Sequence, residues 1–295
     1  MKSSSLSISV VIPTYRRVPE LLYTLNALAA CDTPPAEVIV HVDGGDQLSV
    51  DALKALSSEV RILESSKTLG PGGSRNRLLH EALNEIIVSL DDDSFPIDSD
   101  FFSAVEEAVK RHPKAGVIAM NIVHDEEALA HRRSEAHPVA DFVGCGCVYR
   151  KSAFVATRGY VPIQPAYGVE EADLALQIID AGWEIVHDND LRVRHATSRS
   201  HQASPTITSA HISNLALLAF LRYPFTYWLL GMLQVASRVF WSIRNRRTSG
   251  ILGGLAATPG KIWRYRAYRK PVSAATMRKV RRLRREANEL ALGEG

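Results

Sequence analysis

The stretch Ile86-Ile87-Val88-Ser89-Leu90-Asp91-Asp92-Asp93-Ser94 decides the fold, because an apolar run with β character ends there in three consecutive carboxylates. In an extended backbone alternate side chains share a side, so we expect Asp91 and Asp93 to point the same way. Two carboxylates that converge at a strand end form a good site for a hard divalent cation such as Mg²⁺ or Mn²⁺. The alternative is a capped turn before Phe95-Pro96, but three adjacent acids repel one another without a cation.

Apolar runs alternate with stretches of helical periodicity on both sides of this strand. The predicted strands cover 7–12, 37–42, 60–63, 86–90, 116–123, 142–149, 184–187 and 191–194, and the predicted helices cover 18–30, 49–57, 75–84, 101–111, 151–157 and 170–181. This alternation is typical of a layered α/β protein with a parallel sheet. Ligands bind at the carboxyl ends of the strands in such sheets, so we expect the polar motifs that follow the strands to gather at one edge.

The composition of the 295 residues is that of a globular protein, with 46% hydrophobic and 23% charged residues. Three cysteines without paired spacing disfavour a disulfide framework and fit a reducing compartment. The N-terminus lacks the apolar segment of a signal peptide, and no run of about 18 uncharged apolar residues predicts a spanning helix. We therefore expect a cytoplasmic protein.

Charge is distributed unevenly along the chain. Residues 238–285 contain 15 lysines and arginines and no acidic residue, whereas the first 237 residues carry a net charge of −9. We predict two regions: a catalytic domain over 1–205, and a helical, aromatic and Arg-rich region over 206–295.

The C-terminal region has features of a segment that lies on a membrane. Aromatic residues of the kind that settle at lipid interfaces occur in 206–241. Apolar residues then follow helical spacing among arginines, namely Val280, Leu283, Ala287 and Leu290. This pattern predicts a peripheral contact through 238–285 with an anionic membrane, at the inner face of the cell membrane. The alternatives are a solvated tail and a homodimer contact; nucleic-acid binding is disfavoured because no nucleic-acid module accompanies the basic segment.

Six short motifs occur in order over residues 7–198. They are Val11-Ile12-Pro13-Thr14-Tyr15-Arg16, Val42-Asp43-Gly44, Gly70-Pro71-Gly72-Gly73-Ser74-Arg75-Asn76, Ser89-Leu90-Asp91-Asp92-Asp93, Glu170-Glu171-Ala172-Asp173-Leu174, and Gly182-Trp183 with a closing Arg194-His195. Each is weak alone, but together the chain resembles a glycosyltransferase of family 2. The resemblance implies the GT-A fold, a mixed, mostly parallel α/β sheet flanked by helices, and a nucleoside-diphosphate-sugar donor.

The resemblance also implies which residues border the nucleotide sugar. They are Pro13, Thr14, Tyr15, Arg16, Asp43, Gly72, Gly73, Arg75, Asp91 and Asp92. Asp43 would accept a hydrogen bond from the base or ribose, and its alternative is an Asx turn with Gly44. We expect residues 70–74 to form a loop that opens the following helix, where backbone amides favour anions and Arg75 adds positive charge; a plain helix cap is the alternative. For Arg16 and Arg17 the alternative is a solvated loop.

For the metal, Mn²⁺ or Mg²⁺, the resemblance implies Asp93 as the direct ligand, with Asp91 at the ribose or at the metal through water. His195 closes the last strand and is implied as a further metal or diphosphate contact, since imidazole is an acceptable ligand for Mn²⁺. A lone histidine is often merely structural, and that alternative stays open.

An inverting transferase needs a carboxylate that takes the proton from the attacking hydroxyl. The family's base is the second acid of a Glu-Asp pair, which falls on Glu171, with Glu170 as the substitute. Both acids would also stabilise a helix N-terminus. The strand at 142–149 matches the position where the family lines its acceptor pocket, at Gly144, Cys145 and Gly146; a tightly packed strand is the alternative.

These inferences predict an inverting, metal-dependent glycosyltransferase with a uridine- or deoxythymidine-linked donor. The acceptor would be a saccharide or lipid-linked hydroxyl in cell-envelope polysaccharide or glycolipid synthesis. Processive synthases of the family carry Gln-x-x-Arg-Trp, whereas this chain has Gln177-Ile178-Ile179-Asp180, which indicates transfer of one or a few sugars. The rival hypotheses are a soluble transferase for small-molecule or protein acceptors, and a catalytically inactive sugar-nucleotide-binding scaffold.

Overall fold

A computed structural model describes residues 6–56, 59–124, 136–196 and 204–293. The strands are β1 (Ile8–Thr14), β2 (Glu37–Val42), β3 (Arg61–Glu64), β4 (Ile86–Leu90), β5 (Ser94–Pro96), β6 (Ala115–His124), β7 (His137–Pro138), β8 (Gly146–Arg150) and β9 (Glu184–His195). The helices are α1 (Val18–Ala29), α2 (Gln47–Lys54), α3 (Gly70–Glu81), α4 (Phe101–Arg111), α5 (Lys151–Val155), α6 (Glu170–Asp180), α7 (Pro205–Arg222), α8 (Trp228–Arg244), α9 (Ile251–Tyr265) and α10 (Ala274–Gly293).

The strands form one mixed sheet in the order β3-β2-β1-β4-β8-β6-β9-β5, with β7 paired to β9. The first four of these strands are parallel, and β8 is antiparallel to both of its neighbours. Alternate side chains of each strand enter apolar clusters on opposite faces, as Val10 and Val11 do. The predicted α/β class and GT-A-type sheet flanked by helices are confirmed.

The short strands β5 and β7 were not predicted, and three further differences from the predicted elements bear on the site. Helix α3 begins at Gly70, so the predicted loop over 70–74 is wrong: proline is tolerated in a first helical turn, and Pro71 occupies that turn. The two last predicted strands are one strand, β9, which absorbs Asp188–Asp190 at a register shift. Strand β8 begins at Gly146, so residues 142–145 form the loop that enters it. Most of the polar excursion at 124–138 lies outside the described residues.

The C-terminal helices pack against the sheet domain through a buried ion pair. Arg222 of α7 is fully buried, and it donates to the carboxylate of Asp173 on α6 at 2.6 and 3.0 Å. The same guanidinium donates to the carbonyls of Tyr268 and Lys270 at 3.2 and 3.3 Å. One side chain therefore joins α6, α7 and the segment between α9 and α10.

The apolar cluster that contains Val11 also contains side chains of α6 and of the C-terminal helices. The interpretation of Val280 and Leu283 as a membrane-facing stripe is wrong, because both are buried in this cluster at 2% and 6% exposure. The side chain of Leu290 lies outside the described residues, and the division of the chain at 205 stays a prediction. In the described part of the chain, none of the helices combines the length and apolar character needed to cross a bilayer.

We predict that Asp173→Asn lowers the free energy of unfolding by about 3–5 kcal/mol, because it leaves the Arg222 guanidinium buried without a counter-charge. Urea unfolding followed by circular dichroism measures the change. The matched control is Glu106→Gln, which breaks a helical surface pair with Lys110 and should cost under about 1 kcal/mol. Equal effects of the two substitutions would show that the buried pair does not hold the helices in place.

Candidate nucleotide-sugar and metal site

The predicted polar motifs gather at the carboxyl edge of the sheet, around a cavity of about 170 Å³. Its lining residues are Pro13, Thr14, Tyr15, Arg17, Asp43, Pro71, Ser74, Asp91 and Asp92. Six residues of the predicted nucleotide-binding set therefore line one cavity. Arg16, Gly72, Gly73 and Arg75 do not line it, although Arg75 contacts Asp91.

Arg17, and not Arg16, reaches the acidic triplet. Arg16 is exposed with a positive φ of 57°, and its backbone N–H donates to Asp46 at 2.6 Å. Arg17 then turns inward, and its guanidinium lies 3.0 Å from Asp92 Oδ1 and 2.8 Å from Asp93 Oδ2. The Arg-Arg dipeptide alone does not say which of its side chains faces the site, because the left-handed backbone at Arg16 sets the direction.

Asp92 lines the cavity, but most of its contacts are with other protein residues. Its Oδ2 accepts a hydrogen bond from Thr14 at 2.9 Å, and its backbone carbonyl accepts one from Thr24 at 2.8 Å. Burial raises the pKa of Asp92 to about 7, although Arg17 and Thr14 oppose the shift. Asp92 thus ties the triplet to β1 and α1.

Asp43 positions the start of α3. Its carboxylate accepts hydrogen bonds from Ser65 Oγ at 2.8 Å and from the backbone N–H groups of Leu69 and Gly70 at 2.8–3.0 Å. A carboxylate has about four acceptor positions, and these four contacts place two on each oxygen of Asp43. The side chain is therefore committed to the loop that precedes α3, and a ligand hydroxyl or base N–H would compete with these contacts.

Asp93 and His195 face each other at the end of β9. His195 Nε2 lies 3.2 Å from Asp93 Oδ1, but that buried oxygen has no hydrogen bond of good geometry among the described residues. Burial works to raise the pKa of Asp93, and the contacts with His195 and Arg17 lower it overall. The pKa of His195 is raised because the contact with Asp93 outweighs its burial. An acceptor oxygen without a hydrogen bond beside an imidazole fits a cation held between them.

A second grouping at this edge consists of Asp91, Cys145 and His195, whose ligand atoms lie within 4.8 Å of one another. Cys145 Sγ is 3.7 Å from His195 Nδ1. Burial raises the pKa of the Cys145 thiol well above its usual value, which opposes formation of the thiolate. A neutral thiol is a poor ligand for hard cations, and the carboxylates and imidazole are the better donor set for Mn²⁺ or Mg²⁺.

Arg75, Glu171 and Gly144 form the other side of the site. Arg75 is buried at 4% exposure, contacts Asp91, and has no hydrogen bond at Nε among the described residues. A Cβ on Gly144 would lie 2.8 Å from Arg75 Cζ and 2.9 Å from Glu171 Oε1, so the missing side chain makes room for both. Burial raises the pKa of Glu171 although Arg75 opposes the shift.

The loop that enters β8 is held by serines of the triplet motif. Ser89 Oγ donates to the carbonyl of Gly144 at 2.8 Å, and Ser94 Oγ donates to that of Cys145 at 2.7 Å. Gly144 and Cys145 of the predicted acceptor set therefore lie at the site. Gly146 pairs with Leu90 in the sheet, where a Cβ would approach Ile122 to 3.0 Å.

The two candidate bases point in different directions. Glu171 lies beside Arg75 and Gly144. Glu170 is buried and accepts a hydrogen bond from the N–H of Val169 at 3.0 Å. Its negative charge opposes the lowering of the Lys261 pKa that burial causes on α9. Both are in the first turn of α6.

The strand order and the acidic cluster at the carboxyl edge define a GT-A-type α/β protein. The model of the family described as Glycosyl transferase family 2 matches residues 9–157, about half of the chain, and the chain belongs to that family. The uncharacterized glycosyltransferase YwdF of Bacillus subtilis (strain 168) is 35% identical over 92 residues, which is 30% of this chain and 34% of YwdF. The match thus spans about a third of that relative.

Solved structures share the fold at low sequence identity. GalNAc-T7, crystallised with UDP, GalNAc and Mn²⁺, superposes with a TM-score of 0.60 and 13% identity over 77% of this chain and 50% of its own. TarS 1–349 of S. aureus gives 0.57 and 16%, over 81% and 73%. The mannosyltransferase PcManGT of Pyrobaculum calidifontis, in complex with GDP-Man and Mn²⁺, gives 0.57 and 15%, over 97% and 80%.

We predict that Gly144→Ala destabilises the fold by about 1–3 kcal/mol and displaces Arg75 and Glu171, because the added methyl overlaps both. Thermal unfolding gives the stability change, and titration with UDP gives the effect on binding. The control is Gly260→Ala in exposed helix α9, where a Cβ meets nothing within 4 Å and should be neutral or stabilising by up to about 1 kcal/mol. If Gly144→Ala behaved like the control, position 144 would not require the absence of a side chain to place Arg75 and Glu171.

Proposed function

We propose that the protein is an inverting, metal-dependent glycosyltransferase that moves a sugar from a nucleoside-diphosphate sugar to an acceptor hydroxyl. The observation that carries the proposal is that Asp91, Asp93 and His195 lie close together, while Arg75 connects Asp91 to Glu171 beside Gly144. Family membership supports glycosyl transfer as the reaction class.

Asp93 and His195 would hold the divalent cation, with Asp91 beside them. Arg17 occupies Asp93 Oδ2, which leaves Oδ1 as the donor toward His195. When bound, such a cation neutralises the diphosphate and stabilises it as a leaving group. GalNAc-T7 and PcManGT, which share the fold, were both solved with Mn²⁺, and this supports the same ion here.

Glu171 would act as the base. Its carboxylate removes the proton of the acceptor hydroxyl while the oxygen attacks the anomeric carbon and the nucleoside diphosphate departs from the opposite face, which inverts that carbon. Arg75 fixes Asp91 and places a buried positive charge between the donor side and the base. Glu170, hydrogen-bonded to the backbone before α6, would hold the first turn in place.

We further propose a uridine- or deoxythymidine-linked donor and an acceptor at the cytoplasmic face of a membrane. TarS was solved with UDP-GlcNAc, which supports uridine, whereas PcManGT was solved with GDP-Man. Exposed apolar side chains on α8 and α9 support the membrane contact, among them Leu229, Met232, Phe240, Leu252 and Trp263. The arginines of 238–285 occur beside them, and such a surface favours anionic lipid.

We predict that Glu171→Gln lowers kcat/KM about 10²–10⁴-fold and leaves the donor dissociation constant unchanged, because only proton removal is lost. Release of nucleoside diphosphate from a panel of uridine and deoxythymidine sugars, with saccharide and lipid-linked acceptors, measures the rate. The control Glu170→Gln should lose less than about tenfold, since it retains a side chain of the same size at Val169. Undiminished transfer by Glu171→Gln would overturn the assignment.

The wild-type rate should also fall as the pH is lowered through the pKa of Glu171. The base acts only when it is deprotonated, and burial raises its pKa above the ordinary value of 4.5. The acidic limb of kcat/KM therefore begins above that value.

We predict that UDP raises the stability of the protein only when Mn²⁺ is present, by about 2.7 kcal/mol at 100 times its dissociation constant. Asp93→Asn should remove this metal-dependent stabilisation, and Cys145→Ala should retain it. Thermal unfolding and the electron paramagnetic resonance signal of free Mn²⁺ measure both effects. The reverse pattern would assign the metal to Asp91, Cys145 and His195, and no stabilisation by UDP, dTDP or GDP would favour a scaffold without catalysis.

A further inference from the structure

A second cavity, of about 420 Å³, lies beneath helix α8 and is separate from the donor site. Its walls come from α7, α8, α10 and the beginning of α6. Val169 and Ala172 line it, and these residues bracket Glu170 and Glu171 along the chain. A ligand in this cavity would therefore border the helical turn that carries the proposed base.

One polar group of this cavity, the Arg238 guanidinium, has a nitrogen without a hydrogen-bond partner among the described residues. Arg238 Nε is buried and has no acceptor among the described residues. The plane of the guanidinium stacks 4.3 Å from the ring centroid of Trp241. This stacking contact provides no hydrogen-bond acceptor for the N–H groups at the edge of that plane. Nearby on α7, His211 Nδ1 is likewise buried without a partner, with its ring packed behind Gly168.

Two other arginines lie near Arg238. Arg284 also lines the cavity, but its Nε and Nη2 donate to the carboxylate of Asp141 at 2.9 and 2.8 Å. Arg238 has no ion pair with a carboxylate in the described part of the chain, and Arg247 lies over the same Trp241 ring at 5.2 Å. Burial, together with Arg247, lowers the pKa of Arg238. A guanidinium with an open N–H edge and a cationic neighbour fits a phosphate group, which accepts several such hydrogen bonds.

On the other side of α8 lies an apolar groove of about 580 Å³ between α7, α8 and α9. Phe220, Trp228 and Met232 are among its lining residues. Arg269 lies over the rings of Phe220 and Trp228, at 4.8 and 5.4 Å. A hydrocarbon surface bordered by arginines matches a molecule with an apolar chain and an anionic head.

We propose that the cavity at Arg238 binds the phosphate or diphosphate group of an amphiphilic acceptor, whose hydrocarbon chain covers the groove of α8 and α9. The acceptor sugar attached to that phosphate then extends past Val169 toward Glu171. This inference rests on the proposed function, because it names the acceptor class of the same site. It commits the acceptor to a lipid phosphate and not to a neutral glycan.

The test is isothermal titration of the full chain with farnesyl diphosphate, without donor or metal, so that it does not depend on a working donor site. Arg238→Gln should weaken binding at least tenfold, and Arg238→Lys should weaken it less because it keeps the charge. Farnesol should bind wild type and Arg238→Gln alike. The matched control Arg281→Gln removes one exposed charge from the same basic segment and should leave binding unchanged. Thermal unfolding establishes that each variant is folded.

Several results would overturn the proposal. Equal binding of farnesyl diphosphate by wild type and folded Arg238→Gln would remove the phosphate from this cavity. Equal weakening by Arg281→Gln would indicate nonspecific charge attraction. Inorganic pyrophosphate binding as tightly as farnesyl diphosphate would indicate a free-anion site without a lipid. The titration of UDP with Mn²⁺ is unaffected by Arg238→Gln if the proposal holds, so failure at the donor site is recognised separately.

Discussion

The charge of three consecutive carboxylates at the end of a buried strand constrains everything around it. The opposite charges come from several parts of the chain: Arg75 on α3 pairs with Asp91, Arg17 after β1 pairs with both Asp92 and Asp93, and His195 at the end of β9 also contacts Asp93. The compensating groups are distant in sequence, so the site can form only when the sheet has brought these strand ends together. Fold and site are thus coupled through electrostatics as well as through packing.

Helix α6 connects this site to the rest of the molecule. Glu171 on its first turn faces Arg75, Ala172 lines the cavity beneath α8, and Asp173 pairs with Arg222 in the interior. Three successive residues of one helical turn therefore face three different environments, as the 100° rotation per residue requires. A displacement of the C-terminal helices would therefore shift α6 and change the position of Glu171, the proposed base.

Much of the fold could be predicted from the sequence, because hydrophobic periodicity and strand-end motifs are local signals. The α/β sheet and the gathering of Thr14, Asp43 and Asp91 at one edge follow from them. The inward turn of Arg17 could not be predicted, since it depends on a left-handed residue at the preceding position. The sequence also does not distinguish a buried stripe at Val280 and Leu283 from one that faces a membrane, because periodicity indicates an apolar face without indicating what covers it.

Helix α8 is docked closely on α7, where a Cβ on Gly231 would lie 2.5 Å from that of Ala219. Helix α7 is in turn fixed to α6 by Arg222 and Asp173. On the proposed membrane contact, the apolar face is therefore part of a stiff frame and does not act as a tether. If that contact forms, such a frame would hold the proposed catalytic edge at one height and tilt above the bilayer. The enzyme would then select acceptors by the distance of their hydroxyl from the membrane surface. Glycans that are one or two sugars too long would be excluded by this distance and not by the shape of the pocket.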